Sequence, residues 1–187
     1  MAMLRSLAAL LLLGPAWGQS NGLHEAIHKN DMAELNELLT EGEEDINERG
    51  NGGQTPLMMA TLSGVPAAVR LLLKAGADVT IGEKDGYTPM HGAGFQGRAE
   101  IAQLLIDHGL DPSDMHADGY TPLHRACWGG DKRHTEMVGV LLRAGVSPTE
   151  PTSAQTGSKK PLELTGNVGT KTLLHHAIHE NTGHAEL

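Results

Sequence analysis

The sequence is poor in cysteine, in aromatic residues and in basic residues. A single cysteine, Cys127, means that no disulfide can form within the chain. The 14 lysines and arginines stand against 23 acidic residues, a formal net charge of -9, and no cluster of basic residues is present. Because neutralising phosphate groups requires clustered Lys and Arg, we expect no nucleic acid partner. The 24 glycines and five aromatic residues predict many turns and small interior side chains.

An apolar run at residues 7–13 follows Arg5 and precedes a Gly-Pro break and the small residues Ala16 and Gly18. This pattern predicts a cleaved secretory signal over residues 1–18, and the run is short for a bilayer span. An uncleaved anchor and a misassigned start are the alternatives. No later run is long enough for a membrane helix, so we expect no membrane span in the mature chain. Cleavage would place the protein in the secretory pathway or outside the cell, while the lack of disulfides keeps a cytoplasmic location open.

One segment recurs with a period of 33 residues. It reads "TPLMMATLSG" from Thr55, "TPMHGAGFQG" from Thr88 and "TPLHRACWGG" from Thr121. Each copy is followed by a leucine-rich amphipathic segment that ends in a glycine, at Gly76, Gly109 and Gly145. A fixed period of this length predicts stacked supersecondary units, none of which can bury its own apolar face alone.

The residues within each unit predict two antiparallel helices. Thr at the N-cap and Pro at the first helical position start the first helix. Gly64 and Gly97 suit the turn between the helices, and the glycine that ends the second helix suits a left-handed conformation. The Asp-Gly pairs in "EKDGY" and "HADGY" predict hairpin tips between units.

These motifs resemble the ankyrin repeat family, whose repeat has a Thr-Pro-Leu-His-x-Ala helix start, a central Gly, a Leu-Leu-Leu helix and a Gly-Ala-Asp end. The resemblance covers about residues 21–175 and implies an all-α helix-turn-helix solenoid with β-hairpin tips. It implies a domain over 19–180, with a frayed tail at 181–187 and with repeats at about 21–53, 54–86, 87–119, 120–158 and 159–180. The first and last repeats are degenerate caps, and we expect a shortened second helix in the last.

Two insertions interrupt the period. The segment "GGDKRHTE" is expected to add three residues between the helices of the fourth repeat. The segment "SPTEPTSAQTGSKK" adds three residues to the next connection, and its Pro, Ser and Thr predict a flexible surface loop.

Two features allow a chemical alternative. Cys127 follows His124 by three residues, the spacing of a thiol nucleophile and its base on one helix face. However, His124 repeats His24 and His91 in the helix start, and Cys127 occupies a small-residue position, so packing is the favoured interpretation. No third catalytic group or oxyanion donor can be named. His108 and His116 are expected to be exposed residues of repeat ends and hairpins.

The second feature is the terminal "HHAIH", in which His175 and His179 stand four residues apart beside Glu180 and could hold a metal ion. Helix-surface histidines are the favoured interpretation. We therefore expect no catalytic residue, no metal and no cofactor. A scaffold fragment of a longer multidomain protein is a further alternative.

The aromatic residues predict a binding surface. The ankyrin resemblance implies a concave face, made of hairpin tips and first helices, that binds partner proteins. The mature chain's aromatic residues all map to this face, at the position before Thr or seven residues after it. The predicted binding residues are Met59, Leu62, Tyr87, Phe95, Tyr120, Arg125 and Trp128, rimmed by Lys84, Asp85 and Asp118. The sequence thus predicts a non-enzymatic, monomeric interaction module for an unidentified protein partner.

Overall fold

The computed structural model describes residues 21–183, which form ten α-helices and no β-strand. The helices are α1 (Gly22–Lys29), α2 (Met32–Glu41), α3 (Pro56–Ser63), α4 (Pro66–Lys74), α5 (Pro89–Gln96), α6 (Ala99–Asp107), α7 (Pro122–Cys127), α8 (Lys132–Arg143), α9 (Pro161–Leu164) and α10 (Val168–Gly183). Odd-numbered helices pack side by side in one layer and even-numbered helices in a second. The predicted all-α solenoid is therefore confirmed.

The first helices of the three central repeats begin at the predicted threonines, and Thr55 and Thr121 cap them with side-chain hydrogen bonds. The Thr55 hydroxyl accepts a hydrogen bond from the Met58 backbone N–H at 3.2 Å, and Pro56 occupies the first turn. Gly64 ends α3 with a φ of 71°, a left-handed conformation that other residues rarely adopt. Gly97 ends α5 in the same way, with a φ of 66°. In these two repeats the turn between the helices is thus set by one glycine, whereas α1 ends at Asn30 with a φ of 55°.

The core lies between the two helix layers and runs the length of the stack. Every repeat contributes fully buried side chains, among them Leu23, Leu35, Leu57, Leu72, Met90, Leu105, Leu123, Leu141 and Leu174. Because each repeat buries its apolar side chains against its neighbours, stability depends on the stack as a whole.

The connections between repeats form finger loops whose tips are tight turns. The Glu83 N–H donates to the Tyr87 carbonyl oxygen at 3.0 Å, and the His116 N–H donates to the Tyr120 carbonyl oxygen at 3.1 Å. These bonds close the predicted Asp-Gly hairpins without extending into a strand ladder in the described residues. The Lys84 N–H also donates to the Gly52 carbonyl oxygen at 3.3 Å, which holds neighbouring fingers side by side.

The prediction that the last repeat has a shortened second helix is wrong. Its first helix, α9, has four residues, and its second, α10, has 16. Earlier second helices end at a glycine, but no glycine follows Leu174 until Gly183, so α10 continues. It includes residues 181–183 of the predicted tail, whereas residues 184–187 and the predicted signal at 1–18 lie outside the described residues.

The first insertion also differs from its prediction. Helix α8 begins 11 residues after Thr121, as α4 and α6 begin 11 residues after their own threonines. It has 12 residues where α4 and α6 have nine, so the three extra residues lengthen the second helix instead of separating the pair. Asp131 starts α8 by accepting a hydrogen bond from the His134 N–H at 3.3 Å.

The second insertion, predicted as a flexible loop, is held by hydrogen bonds. The Thr152 N–H donates to the Lys159 carbonyl oxygen at 2.9 Å, and the Thr152 hydroxyl accepts from the Lys159 N–H at 2.9 Å. The Ser153 N–H donates to the Gly119 carbonyl oxygen at 3.0 Å. The loop is thus closed on itself and attached to the preceding finger.

Candidate protein-binding surface

The fingers and the exposed sides of the first helices form one surface, which we call the finger face. Tyr87 and Tyr120 end their fingers, and Leu62 and Phe95 lie in the last turns of α3 and α5. Trp128 directly follows α7. The sequence therefore placed these residues on related positions of successive repeats.

A cleft of about 340 Å³ opens on the finger face between α3, α5 and the finger at residues 83–87. Four predicted residues line it, Leu62, Tyr87, Phe95 and Arg125, together with Met58, Glu83, His91, Gly92 and Gln96, which the prediction did not include. Met59 is half-buried against the core and does not line the cleft.

Gly92 lies at the base of the cleft, where its lack of a side chain lets Leu62 and Met58 pack close to the helix backbone. A β-carbon built at this position would lie 3.1 Å from Leu62 Cδ2 and 3.3 Å from Met58 Cε. The sequence carried a signal for this, since Gly92 occupies the helix position that Met59 and Arg125 fill in the neighbouring repeats. A cleft therefore forms at the one central repeat that lacks a side chain there.

Two aromatic side chains remain exposed on this face. Phe95 is 54% exposed and Trp128 is 43% exposed. Exposed aromatic residues next to a cleft are favoured anchors in protein interfaces, where Trp, Tyr and Arg contribute most of the binding energy. Phe95 lines the cleft, whereas Trp128 does not.

Trp128 belongs instead to a group that we call the arginine cluster, which comprises Tyr87, Asp118, Tyr120, Arg125 and Trp128. The Arg125 guanidinium lies 5.1, 4.9 and 4.6 Å from the ring centroids of Tyr87, Tyr120 and Trp128. The rings of Tyr120 and Trp128 meet edge to face with centroids 4.9 Å apart. These cation–π and aromatic contacts fix the exposed rings in place.

Asp118 neutralises the charge of Arg125 within this cluster. Its carboxylate accepts hydrogen bonds from Arg125 and, at 2.8 Å, from the Tyr87 hydroxyl. Burial alone would raise the pKa of Asp118, but hydrogen bonds from His116 and Tyr87 and the charge of Arg125 hold it below its ordinary value. The hydrogen bond to Asp118 raises the pKa of Tyr87. Arg125 is therefore a partnered internal cation with a side chain only 11% exposed.

His116, predicted as an exposed hairpin residue, supports this cluster. Its side chain is 10% exposed and its ring stacks on Tyr87 with centroids 3.8 Å apart. Its Nε2 atom lies 2.9 Å from the Asp85 carbonyl oxygen. The expectation of exposure was wrong because His116, four residues before Tyr120, faces the neighbouring finger. The spacing of residues within one repeat does not show such a contact between repeats.

The geometry around Cys127 favours packing over nucleophilic chemistry. Burial raises the pKa of the Cys127 thiol to about 12, so the thiol stays protonated at neutral pH. The ring of His124 is bonded at both nitrogens, with Nδ1 2.8 Å from the Thr121 hydroxyl and Nε2 3.0 Å from the Glu150 carbonyl oxygen. At Gly94, which occupies the same repeat position as Cys127, a β-carbon would lie 2.6 Å from the Pro122 carbonyl oxygen. This position thus requires a small residue for packing.

The terminal histidines were the other chemical alternative. Glu180 pairs with His176, whose Nδ1 atom lies 3.3 Å from the carboxylate. Within the part of the chain that the structure describes, no group of three or more His, Cys, Asp or Glu residues is placed to hold a metal ion.

Among the described residues, no helix is long and apolar enough to cross a membrane.

Helix pairs stacked in two layers and joined by finger loops define an α-helical repeat protein that presents a surface. The family model for ankyrin repeats, in three copies, matches residues 3–83 and 80–152. The chain therefore belongs to the ankyrin repeat family, which confirms the resemblance, and its repeats indicate a protein–protein interaction module. Ankyrin repeats are typically non-enzymatic.

Individual relatives share shorter segments. A 61-residue segment is 41% identical to the mitochondrial disaggregases of Bos taurus and Homo sapiens, and it covers 33% of this chain and 9% and 8% of those proteins. A 57-residue segment is 44% identical to a putative ankyrin repeat protein of Rickettsia felis, covering 30% of this chain and 15% of that protein. The chain thus matches only a small part of each relative's length.

Proposed function

We propose that this chain binds a partner protein through its finger face, with Phe95 as the main anchor. The observation that carries the proposal is the cleft itself. An exposed phenylalanine forms one wall, the missing side chain of Gly92 forms the floor, and the leucine and methionine of the preceding repeat complete an apolar lining. A partner side chain seated there would bury apolar area against Phe95.

The surface is fixed before a partner arrives, which favours affinity. Helix α5 is held at its end by His134, whose Nε2 atom lies 3.0 Å from the Phe95 carbonyl oxygen. The arginine cluster immobilises Tyr87 and Trp128 through ring contacts with Arg125. Because these side chains are already ordered, little conformational entropy is lost on binding.

The two exposed aromatic residues have different parts in this proposal. Phe95 contacts the partner segment that enters the cleft. Trp128 forms a second contact beyond it, on the next repeat. Arg125 acts through its neighbours, because its charge is already neutralised by Asp118. We therefore expect Arg125 to affect the shape of the surface more than the charge of the surface.

A peptide selection tests the proposal without a known partner. A random peptide library displayed on phage is selected against residues 19–187, and individual peptides are measured by fluorescence anisotropy. We expect Phe95→Ala with Trp128→Ala to weaken binding at least about tenfold, since interface aromatic residues each contribute at least about 1 to 2 kcal/mol.

Val168→Ala serves as the matched control, because Val168 is an exposed apolar side chain, 78% exposed, at the start of α10 away from the finger face. Circular dichroism must show unchanged helicity for every variant. Peptides that bind the double variant as tightly as the unmodified chain would show that the finger face is not the binding surface.

A further inference from the structure

We propose that the segment that occupies the cleft is a basic, extended peptide in which Lys or Arg residues flank one apolar side chain. This inference rests on the proposed function and names the class of partner. Three observations support it: the charge of the finger loops, the unpaired charge within the cleft and the apolar lining.

The negative charge of the chain is concentrated in the connections that carry the first three fingers. Residues 42–55, 75–88 and 108–121 contain ten acidic residues and two basic ones, a net charge of -8, while the whole chain has -9. The last connection, residues 144–160, contains one acidic and two basic residues. The connection that forms the finger at the cleft, residues 75–88, has a net charge of -2, and the connections on either side of it have -3 each, so negative charge surrounds the cleft. The last connection has a net charge of +1.

Within the cleft, the uncompensated charge is also negative. The Arg125 guanidinium is paired with Asp118, and burial lowers the pKa of His91, which keeps that ring neutral. The Glu83 carboxylate has a single weak side-chain contact, from the Gln54 amide at 3.4 Å. Glu83 is therefore the lining residue with the capacity to accept hydrogen bonds from an incoming cation.

Next to Glu83 on the same finger, exposed Lys84 and Asp85 oppose each other in charge. The finger as a whole therefore remains acidic. A Lys or Arg of the partner can approach Glu83 from solvent, since the carboxylate belongs to a half-buried residue at the cleft opening.

The lining explains the apolar residue of the proposed peptide. Leu62 and Phe95 face the space above Gly92, so an aliphatic side chain of the partner fits between them. In an extended peptide, side chains two positions apart point to the same face. A basic residue two positions from the aliphatic one would then lie over the fingers, where attraction between opposite charges also raises the association rate.

Three fluorescein-labelled peptide pools test the inference. Each pool has a fixed central Leu, and its flanking positions are randomised over Lys and Arg, over Ser and Thr, or over Asp and Glu. We expect the Lys/Arg pool to bind residues 19–187 at least about tenfold more tightly than the Ser/Thr pool at low salt, and this ratio to shrink as salt screens the charges.

Two variants then localise the binding. Glu83→Gln keeps an acceptor for Gln54 but removes the charge, and it should reduce the preference for the Lys/Arg pool about two- to fivefold. Gly92→Leu fills the cleft and should weaken the Lys/Arg pool at least about tenfold. The control is Gly139→Leu, which fills a groove of about 340 Å³ between α8 and α10 instead and should leave binding unchanged.

Several results would overturn the inference. Equal binding of the three pools, or no binding by the Lys/Arg pool, would reject a basic partner. Equal binding of the Lys/Arg pool to Gly92→Leu and to the unmodified chain would place basic peptides elsewhere. If acidic or neutral peptides from the phage selection still depend on Phe95 and Trp128, the finger face stands as the binding surface and only the partner class is wrong.

Discussion

The third and fourth repeats share a helix start but use it in opposite ways. Four residues after the N-cap threonine, the third repeat has Gly92 and the fourth has Arg125. Gly92 leaves an open cleft with Phe95 exposed, whereas Arg125 fills the equivalent space and gathers Tyr120 and Trp128 around its guanidinium. One helix position thus decides whether a repeat presents a groove or a filled, rigid surface.

The histidines of the two repeats differ as well. His124 is bonded at both ring nitrogens, to its own N-cap threonine and to the loop of the next repeat. His91 has its Nδ1 atom 2.8 Å from the Thr88 hydroxyl, but its buried Nε2 atom makes no hydrogen bond of normal geometry. The histidine contact with the next repeat is therefore a hydrogen bond of normal geometry in the fourth repeat, whereas in the third it is a weaker contact with the Asp114 backbone.

The largest expected effect comes from removing these histidines. We expect His124→Ala to lower the free energy of unfolding by about 2 to 4 kcal/mol, since it deletes a buried ring and leaves the Glu150 carbonyl oxygen unbonded. His91→Ala should cost at least about 1 kcal/mol less, because only one of its ring nitrogens makes a hydrogen bond of normal geometry. Urea unfolding followed by circular dichroism measures both, and equal losses would contradict the difference between the repeats.

The next effect concerns the arginine cluster. Arg125→Ala should lower the free energy of unfolding by about 1 to 3 kcal/mol, because it removes three ring contacts and leaves Asp118 without its counter-charge. Gly92→Ala should change it by less than about 1 kcal/mol, since the gain in helix propensity opposes crowding of Leu62. Arg125→Lys is the control. Its loss of unfolding free energy should lie between those of Arg125→Ala and Gly92→Ala, since lysine keeps the charge but cannot stack a planar group on the rings.

A smaller effect is a dependence on pH. Burial lowers the pKa of both His91 and His124 in the folded chain. The unfolded chain therefore takes up protons first as the pH falls through about 6.5, and stability must decrease from there towards the folded-state pKa values. Thermal unfolding measured from neutral to mildly acidic pH checks the sign. A melting temperature that rises on acidification in this window would contradict it, and His91→Gln with His124→Gln should flatten the curve.

The smallest effects separate the two exposed aromatic residues. Phe95→Ala should change the free energy of unfolding by no more than about 0.5 kcal/mol, because the ring is mostly in solvent. Trp128→Ala should cost about 1 kcal/mol, because it loses its contacts with Tyr120 and Arg125. Differential scanning calorimetry compares the two, and a larger loss for Phe95 would mean that its ring supports the fold.

Most of the fold could be predicted because its signals are local. The Thr55 and Thr121 caps and the Gly64 and Gly97 turns depend on contacts within a few residues, and they are confirmed. Thr88 occupies its N-cap position, but its hydroxyl bonds the His91 ring instead of a backbone N–H. The 33-residue period repeats these local signals along the chain. The lengths of α8 and α10 were missed for different reasons. The length of α8 depends on how the fourth repeat aligns with the third. The length of α10 depends on the absence of a glycine that would end the helix.

The candidate site could be predicted only as a set of positions. Spacing placed Tyr87, Phe95 and Arg125 on one surface, and the structure brings all three to the cleft. The spacing could not show that Asp118 neutralises Arg125. An Asp is ordinary in an Asp-Gly turn, and which side chain it pairs with depends on how the finger packs in the folded chain. The position of Glu83 in the cleft lining was missed for the same reason.

The side chains that tie one repeat to the next also fix the order of the repeats. The Arg98 guanidinium donates to the Leu62 carbonyl oxygen at 3.2 Å, and the Asn167 amide donates to the Gly130 carbonyl oxygen at 2.8 Å. His134 makes the corresponding contact with Phe95 between them. Because each junction uses a different side chain, two repeats cannot be exchanged without leaving mismatched junctions. Modules shuffled by recombination would therefore have to move together with their neighbours.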